Sequence, residues 1–97
     1  MSFKIADILR LYRKLDGDAG FRIELREGRD TIAKVYCDGR PVLFTGVPHG
    51  KGTLDGKLVH YIRNQLKLNE DDFTNLIRCA LSAAEYKEIL KRKGFLG

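Results

Sequence analysis

The sequence lacks the residue patterns that hold a metal ion or a disulfide framework. It has two cysteines, Cys37 and Cys79, with no Cys-x-x-Cys pair and no paired Cys/His spacing, so neither a zinc site nor a disulfide scaffold is expected. Both are read as ordinary half-buried thiols, Cys37 in a strand and Cys79 in a helix. No cofactor and no metal are expected. Two histidines, His49 and His60, are the imidazoles available for acid–base chemistry. No run of 18 apolar residues occurs, which argues against a membrane-spanning helix. Lys4, Asp7 and Arg10 break up the first apolar residues and argue against a signal peptide. A cytoplasmic location is the resulting expectation. Internal repeats, low-complexity tracts and linkers are also missing, and 97 residues fit one domain, 1–97.

What is present points to a globular chain with an excess of positive charge. Apolar residues make up 43% and charged residues 32%, with a formal net charge of +5 and a sequence pI of about 9.4. Such a balance favours polyanionic partners and says nothing about fold.

Hydrophobic spacing then divides the chain. Ile5, Ile8, Leu9, Tyr12 and Leu15 share one face at helical spacing, with Ser2 as the expected N-cap. The stretch Asp16-Gly17-Asp18-Ala19-Gly20 stops that helix. Phe21, Ile23 and Leu25 alternate with Arg22, Glu24 and Arg26, the period of a strand. After a turn at Glu27-Gly28-Arg29-Asp30, the residues from Thr31 to Cys37 alternate again. Ala33, Val35 and Cys37 oppose Ile32, Lys34 and Tyr36. Asp38-Gly39 is a hairpin signal, because both central residues of that turn need positive φ. A third strand runs from Pro41 to Val47, where the proline suits a strand start or a sheet edge.

A glycine-rich loop from Pro48 to Gly56 leads into a second helix that ends near Leu68. Its expected buried stripe is Leu54, Leu58, Tyr61, Ile62 and Leu66. A third helix begins at the Asn69 cap, with Glu70, Asp71 and Asp72 in the dipole-favoured first turn and Phe73, Leu76, Ile77 and Ala80 facing inward. A fourth starts with the capping box of Ser82 and Glu85, buries Tyr86, Ile89 and Leu90, and ends in Lys91-Arg92-Lys93-Gly94. The expected fold is α+β, a three-stranded antiparallel sheet packed on helices in the order α-β-β-β-α-α-α.

Charge is unevenly divided along this order. Residues 40–67 carry Arg40, Lys51, Lys57, Arg63 and Lys67 against Asp55, a net +4, whereas residues 68–84 carry Arg78 against Glu70, Asp71 and Asp72, a net −2. On the second helix Lys57, His60, Asn64 and Lys67 fall at i, i+3, i+7 and i+10, opposite the apolar stripe. Long cationic side chains beside an imidazole suit phosphate contacts. The competing reading is the solvated polar face that every amphipathic helix needs. Backbone N–H groups at the helix start attract anions, and Lys51 and Lys57 bracket that point. The expected nucleic-acid contacts are therefore Lys51, Lys57, His60, Arg63 and Lys67. Gly46 to Thr53 has the wrong spacing for a nucleotide-hydrolysing phosphate loop, which excludes that class. An imidazole titrating near pH ~6.5 can serve as acid or base in phosphodiester cleavage. His49, in the basic loop, is the catalytic candidate of the two.

Several of these features together resemble the HicA-type mRNA interferase toxin family over about residues 4–76. They are the opening helix ending near Gly20-Phe21, the strand meander, and the segment Val47-Pro48-His49-Gly50-Lys51-Gly52-Thr53-Leu54. The Ile62/Leu66 helix and the start Asn69-Glu70-Asp71-Asp72-Phe73 complete the pattern. The resemblance implies a fold similar to double-stranded-RNA-binding domains, RNA as ligand, and an antitoxin-like protein partner. That family's catalytic histidine lies in a Gly-Ser-His motif at the first β-turn. The matching stretch here is Gly28-Arg29-Asp30, with Asp30 in the histidine's place. A carboxylate is ordinarily ionised at neutral pH and cannot donate a proton there. His49 does not match the family's catalytic position. The C-terminal helical extension, residues 82–97, goes beyond the usual family length.

Three expectations follow. The first is a non-catalytic RNA-binding module that reads shape and phosphate through the loop 48–56 and the second helix. The second is a HicA-like ribonuclease toxin of a toxin–antitoxin pair. The third is a protein-interaction module, for which the C-terminal helix and Phe95-Leu96 provide the motive.

Overall fold

A computed structural model describes residues 3–49 and 52–96. The elements are α1 (Ile5–Leu15), β1 (Phe21–Glu27), β2 (Asp30–Cys37), β3 (Arg40–Pro48), α2 (Gly56–Gln65), α3 (Glu70–Ile77) and α4 (Ala83–Arg92). This is the α+β order α-β-β-β-α-α-α expected from the sequence, with one antiparallel sheet in the order β1-β2-β3.

Register follows from the alternation. Phe21 pairs with Cys37, Ile23 with Val35 and Leu25 with Ala33, while Thr31 pairs with Val47 and Ala33 with Thr45. These residues form the inner face of the sheet. The outer face carries Arg22 opposite Tyr36, Glu24 opposite Lys34, and Lys34 in turn opposite Phe44. At the β2–β3 turn Asp38 has φ 53° and Gly39 φ 82°, the left-handed pair that the turn requires. A bulge between Val35 and Tyr36 shifts the register so that Pro41 pairs with Tyr36 on the edge strand, where a missing N–H does little harm.

The core runs through every element. Tyr12, Phe21, Val35, Ile62, Leu66, Phe73, Leu76, Tyr86 and Leu90 are all at most 2% exposed and belong to one cluster. α1 packs on β1, β3 and α3, and α2 packs on β3. The Lys14 ammonium donates to the Leu76 carbonyl at 2.9 Å and to the Leu81 carbonyl at 2.7 Å, tying α1 to the end of α3. The segments entering α1 and α2 pair with each other: the Leu54 N–H donates to the Phe3 carbonyl at 2.8 Å and the Ile5 N–H to the Gly52 carbonyl at 3.0 Å. That pairing places Phe3 and Leu54 in the core and fixes where α2 begins.

α4 is fastened on three sides. Ser82 Oγ accepts from the Glu85 N–H and Glu85 Oε1 accepts from the Ser82 N–H, both at 3.1 Å, closing the expected capping box. The Tyr86 ring stacks on Phe21 at 5.5 Å between centroids, and its hydroxyl donates to the Leu66 carbonyl at 2.8 Å. Lys87 reaches Asp38 of the β-turn at 3.0 Å, and that carboxylate raises the Lys87 pKa.

Several local expectations are corrected. Ser2 lies outside the described residues, and the position before α1 is held by Lys4, whose N–H donates to the Asp7 carboxylate at 2.8 Å. Leu11 is buried in α1 while Leu9 is half-buried, because α3 packs on that side. Leu25 stands on the inner face but is 50% exposed, since it lies at the far end of the β1–β2 hairpin. α2 stops at Gln65 rather than near Leu68, and Tyr61 is 57% exposed. One step of about 100° from Ile62 carries Tyr61 off the narrow face that meets β3. α3 ends at Ile77, so Ala80 is exposed and Cys79 sits in a turn with φ 64° rather than in a helix. Cys37 is buried and Cys79 exposed. No helix among the described residues is long and apolar enough to cross a membrane.

Candidate nucleic-acid interface

α2 presents the residues singled out from the sequence. Asp55 caps it, accepting the Leu58 N–H at 2.8 Å, and Ile62 is its buried anchor. Gln65 fixes its approach to the sheet: its Oε1 accepts from the Thr45 hydroxyl at 2.8 Å and from the Gly46 N–H at 3.2 Å. That second bond satisfies an outward-facing donor of the edge strand, where a fourth strand would otherwise pair.

With α2 held this way, Lys57 and His60 are exposed on consecutive turns, and Lys57 has no ion-pair partner among the described residues. His60 is the centre of a small network. Its Nδ1 lies 2.7 Å from an Arg63 guanidinium nitrogen and its Nε2 lies 3.0 Å from the Asn64 amide. Arginine can only donate, so Nδ1 is the acceptor of the Arg63 contact. The network joins His60, Asn64 and Arg63 into one polar strip, with Lys57 one turn before it.

The other expected contacts lie outside the described residues or are already engaged. Lys51 lies outside the described residues. Arg63 is only 21% exposed in its side chain, lies 3.9 Å from Glu70, and leaves its Nε buried without a partner. Lys67 does not continue the helical face. α2 has ended, Lys67 takes φ 63°, and its ammonium lies 5.3 Å from the Phe95 ring centroid. Its carbonyl accepts from Lys93 at 2.6 Å. Of the first N–H groups of α2, offered by the sequence to a phosphate, that of Leu58 already meets the Asp55 carboxylate. The positive charge therefore concentrates at Lys57 instead of spreading along residues 57–67.

His49 occupies a different place. It lines a cleft of about 240 Å3 with Arg13 of α1 and Glu27 of β1, beneath Leu9 and Leu25. Asp30, at the first β-turn, lines a different hollow, between β3 and α2. Asp30 and His49 therefore do not share a cavity, although the Asp30–Pro48 strand pair makes them near neighbours along the backbone. Among the described residues no group of three or more His, Cys, Asp or Glu side chains is placed to hold a metal ion. Burial, reinforced by Asp38, pushes the Cys37 thiol pKa up, which disfavours the nucleophilic thiolate.

The sequence did not single out the outer sheet face. There Phe44 is 64% exposed and Ile32 39% exposed, next to Tyr61. The signal in the sequence was the outward position of Ile32 and Tyr36 in the β2 alternation. Compared with family models, curated proteins and solved structures, the chain matches none of them.

Proposed function

We propose that this chain is a small RNA-binding protein that contacts phosphates through Lys57 and the His60-centred strip of α2. The observation that carries this reading is the exposed Lys57 ammonium, without an ion-pair partner among the described residues, one turn from His60 on a helix held by Gln65 and Asp55. The order α-β-β-β-α over α1 to α2 supports it, since that is the arrangement the HicA-type resemblance implies, and so does the formal net charge of +5. Phosphate contacts of this kind position a duplex without reading its sequence. Reversing the charge with Lys57→Glu should weaken binding to an RNA duplex of about 16 base pairs several-fold and lower the salt dependence of log K by roughly one contact. A titration at two salt concentrations measures both. Equal affinity and equal slope for parent and variant would remove the reading.

A second reading rests on the cleft that His49 shares with Arg13 and Glu27. Together they supply a carboxylate, an imidazole and a guanidinium, the groups that metal-independent RNA cleavage needs. The Glu27 carboxylate would take the 2′-hydroxyl proton as that oxygen attacks phosphorus. The His49 imidazolium would give its proton to the departing 5′-oxygen, leaving a 2′,3′-cyclic phosphate, and Arg13 would face the charge on the phosphorane. RNA incubated with the protein in a chelator between about pH 5 and 8 should yield cyclic-phosphate ends, and His49→Ala should not. Intact RNA across that range would end this reading and leave the binding proposal standing.

A further inference from the structure

The outer face of the sheet is the part of the surface that the α2 strip does not explain. An antiparallel sheet with one solvated face normally carries polar residues there. Here the β2 and β3 positions on that face include Ile32, Tyr36 and Phe44, and Phe44 is 64% exposed. Tyr61, 57% exposed, projects from α2 beside them. Phe44, Ile32 and Tyr61 line a single trough of about 310 Å3, close to the lower size of sites that hold small organic ligands. Its floor is Gly46, which pairs with Ile32 across the strands. On the other side of Phe44 a second hollow is lined by Lys34 and Tyr36. Two hollows thus flank one exposed ring.

We propose that this face binds single-stranded RNA, with bases stacking on Phe44 and Tyr61 and phosphates meeting Lys34 and Arg26, which stands opposite Ile32 on the same face. Every base has a π-face, so exposed aromatic rings beside cations form a strand-binding platform. The cross-strand pair of Lys34 and Phe44 places an ammonium beside a ring, one contact for a phosphate and one for its base. Lys34 has no carboxylate partner among the described residues. On the same face the Arg22 guanidinium lies 4.3 Å above the Tyr36 ring, so this ring is already covered and takes no base. Charge also favours RNA over a protein partner. Lys34 lies on β2, the central strand, at the middle of the face, whereas the cores of protein interfaces are depleted in lysine.

The proposal shares with the preceding section only the claim that RNA is the ligand, and it uses a different surface and a different strand state. Fluorescence anisotropy with a labelled single strand of roughly 12 nucleotides tests it. Phe44→Ala and Tyr61→Ala should each weaken binding about tenfold, the size of one lost stack, while circular dichroism stays unchanged because both rings are exposed. Gly46→Val is the second kind of variant. A Cβ at Gly46 would meet the Thr31 carbonyl oxygen at 3.7 Å and Ile32 Cγ1 at 3.8 Å, ordinary contacts, so the strand accepts a side chain that fills the trough. It should lose affinity while keeping both rings. Loss of single-strand binding in Lys57→Glu with none in the ring variants would overturn the proposal and return RNA to α2. Absence of single-strand binding by the parent at low salt would overturn it as well. A parent that sediments as a dimer, made monomeric by Phe44→Ala with RNA affinity unchanged, would reassign the face to self-association and overturn it too.

Discussion

Replacing Tyr86 by alanine is expected to remove about 3–5 kcal/mol of folding stability, a large share of the roughly 5–15 kcal/mol that holds a domain of this size together. Three losses coincide at that position. The ring is fully buried, so its deletion leaves a cavity that the surrounding helices can only partly close. Its stack on Phe21 couples α4 to the first strand. Its hydroxyl is the donor to the Leu66 carbonyl, at the end of α2, and that acceptor would be left buried without a partner. Urea unfolding followed by circular dichroism should show a midpoint displaced by half or more, or no cooperative transition. A shift of less than about 1 kcal/mol would mean that α4 is a loosely attached appendage. The contrary expectation follows from Ala83, Tyr86, Ile89 and Leu90 lying in the same cluster as the sheet residues. Although this helix extends past the family resemblance, it completes the core beneath the sheet.

Alkaline pH should unfold the protein steeply, and two phenols account for it. Burial pushes the Tyr12 phenol up to about 12 and raises that of Tyr86 further still. Below pH ~10 both groups are neutral in the folded and the unfolded chain, and their contribution to stability is fully present. Above that pH the unfolded chain releases both protons while the folded chain keeps them. Stability therefore falls by about 1.4 kcal/mol per pH unit for each phenol, and for Tyr12 the loss continues to about pH 12. Urea midpoints measured between about pH 9 and 11.5 should give this slope, and the double variant Tyr12→Phe/Tyr86→Phe should flatten it. An undiminished slope in that variant would place the alkaline transition elsewhere. The single variants differ at neutral pH. The Tyr12 oxygen is buried without a hydrogen-bond partner, because the nearby Thr45 hydroxyl, which pulls its pKa slightly down, stands outside bonding geometry and donates to Gln65. Tyr12→Phe should thus be neutral or mildly stabilising, whereas Tyr86→Phe should cost about 1 kcal/mol for the lost bond to Leu66.

The parts of the fold legible in the sequence are those whose physics is local. Asp38-Gly39 specifies its hairpin through backbone dihedrals of two adjacent residues. Asn69 and Ser82 start helices through hydrogen bonds spanning three positions. The β2 alternation assigned Ala33, Val35 and Cys37 to one face because side-chain direction has a period of two. Misplacements cluster where a chain end or a neighbour decides. Lys67 was assigned to the helical face by spacing, but α2 ends at Gln65, and a count of residues cannot extend past the last turn. Ala80 and Cys79 were misassigned for the same reason at the end of α3. Tyr61 has the composition of a core residue, and only the narrow contact between α2 and the edge strand leaves it outside.

The candidate surfaces divide along the same line. Lys57 and His60 were visible from helical spacing, yet whether their charge was free depended on what lay across from them. Arg63 faces Glu70, and Lys67 lies over Phe95, contacts between residues seven and twenty-eight positions apart in the chain. Phe44 was hidden for a different reason. Val42, Leu43 and Phe44 are consecutive apolar residues, so alternation carries no information there. The bulge at Val42 sets which one turns outward. By itself, the sequence determined the number, kind and order of the elements and their caps, because these depend on interactions within a few residues. Tertiary structure decided which cations stay unpaired and which rings reach solvent, because both depend on packing between segments distant in the chain.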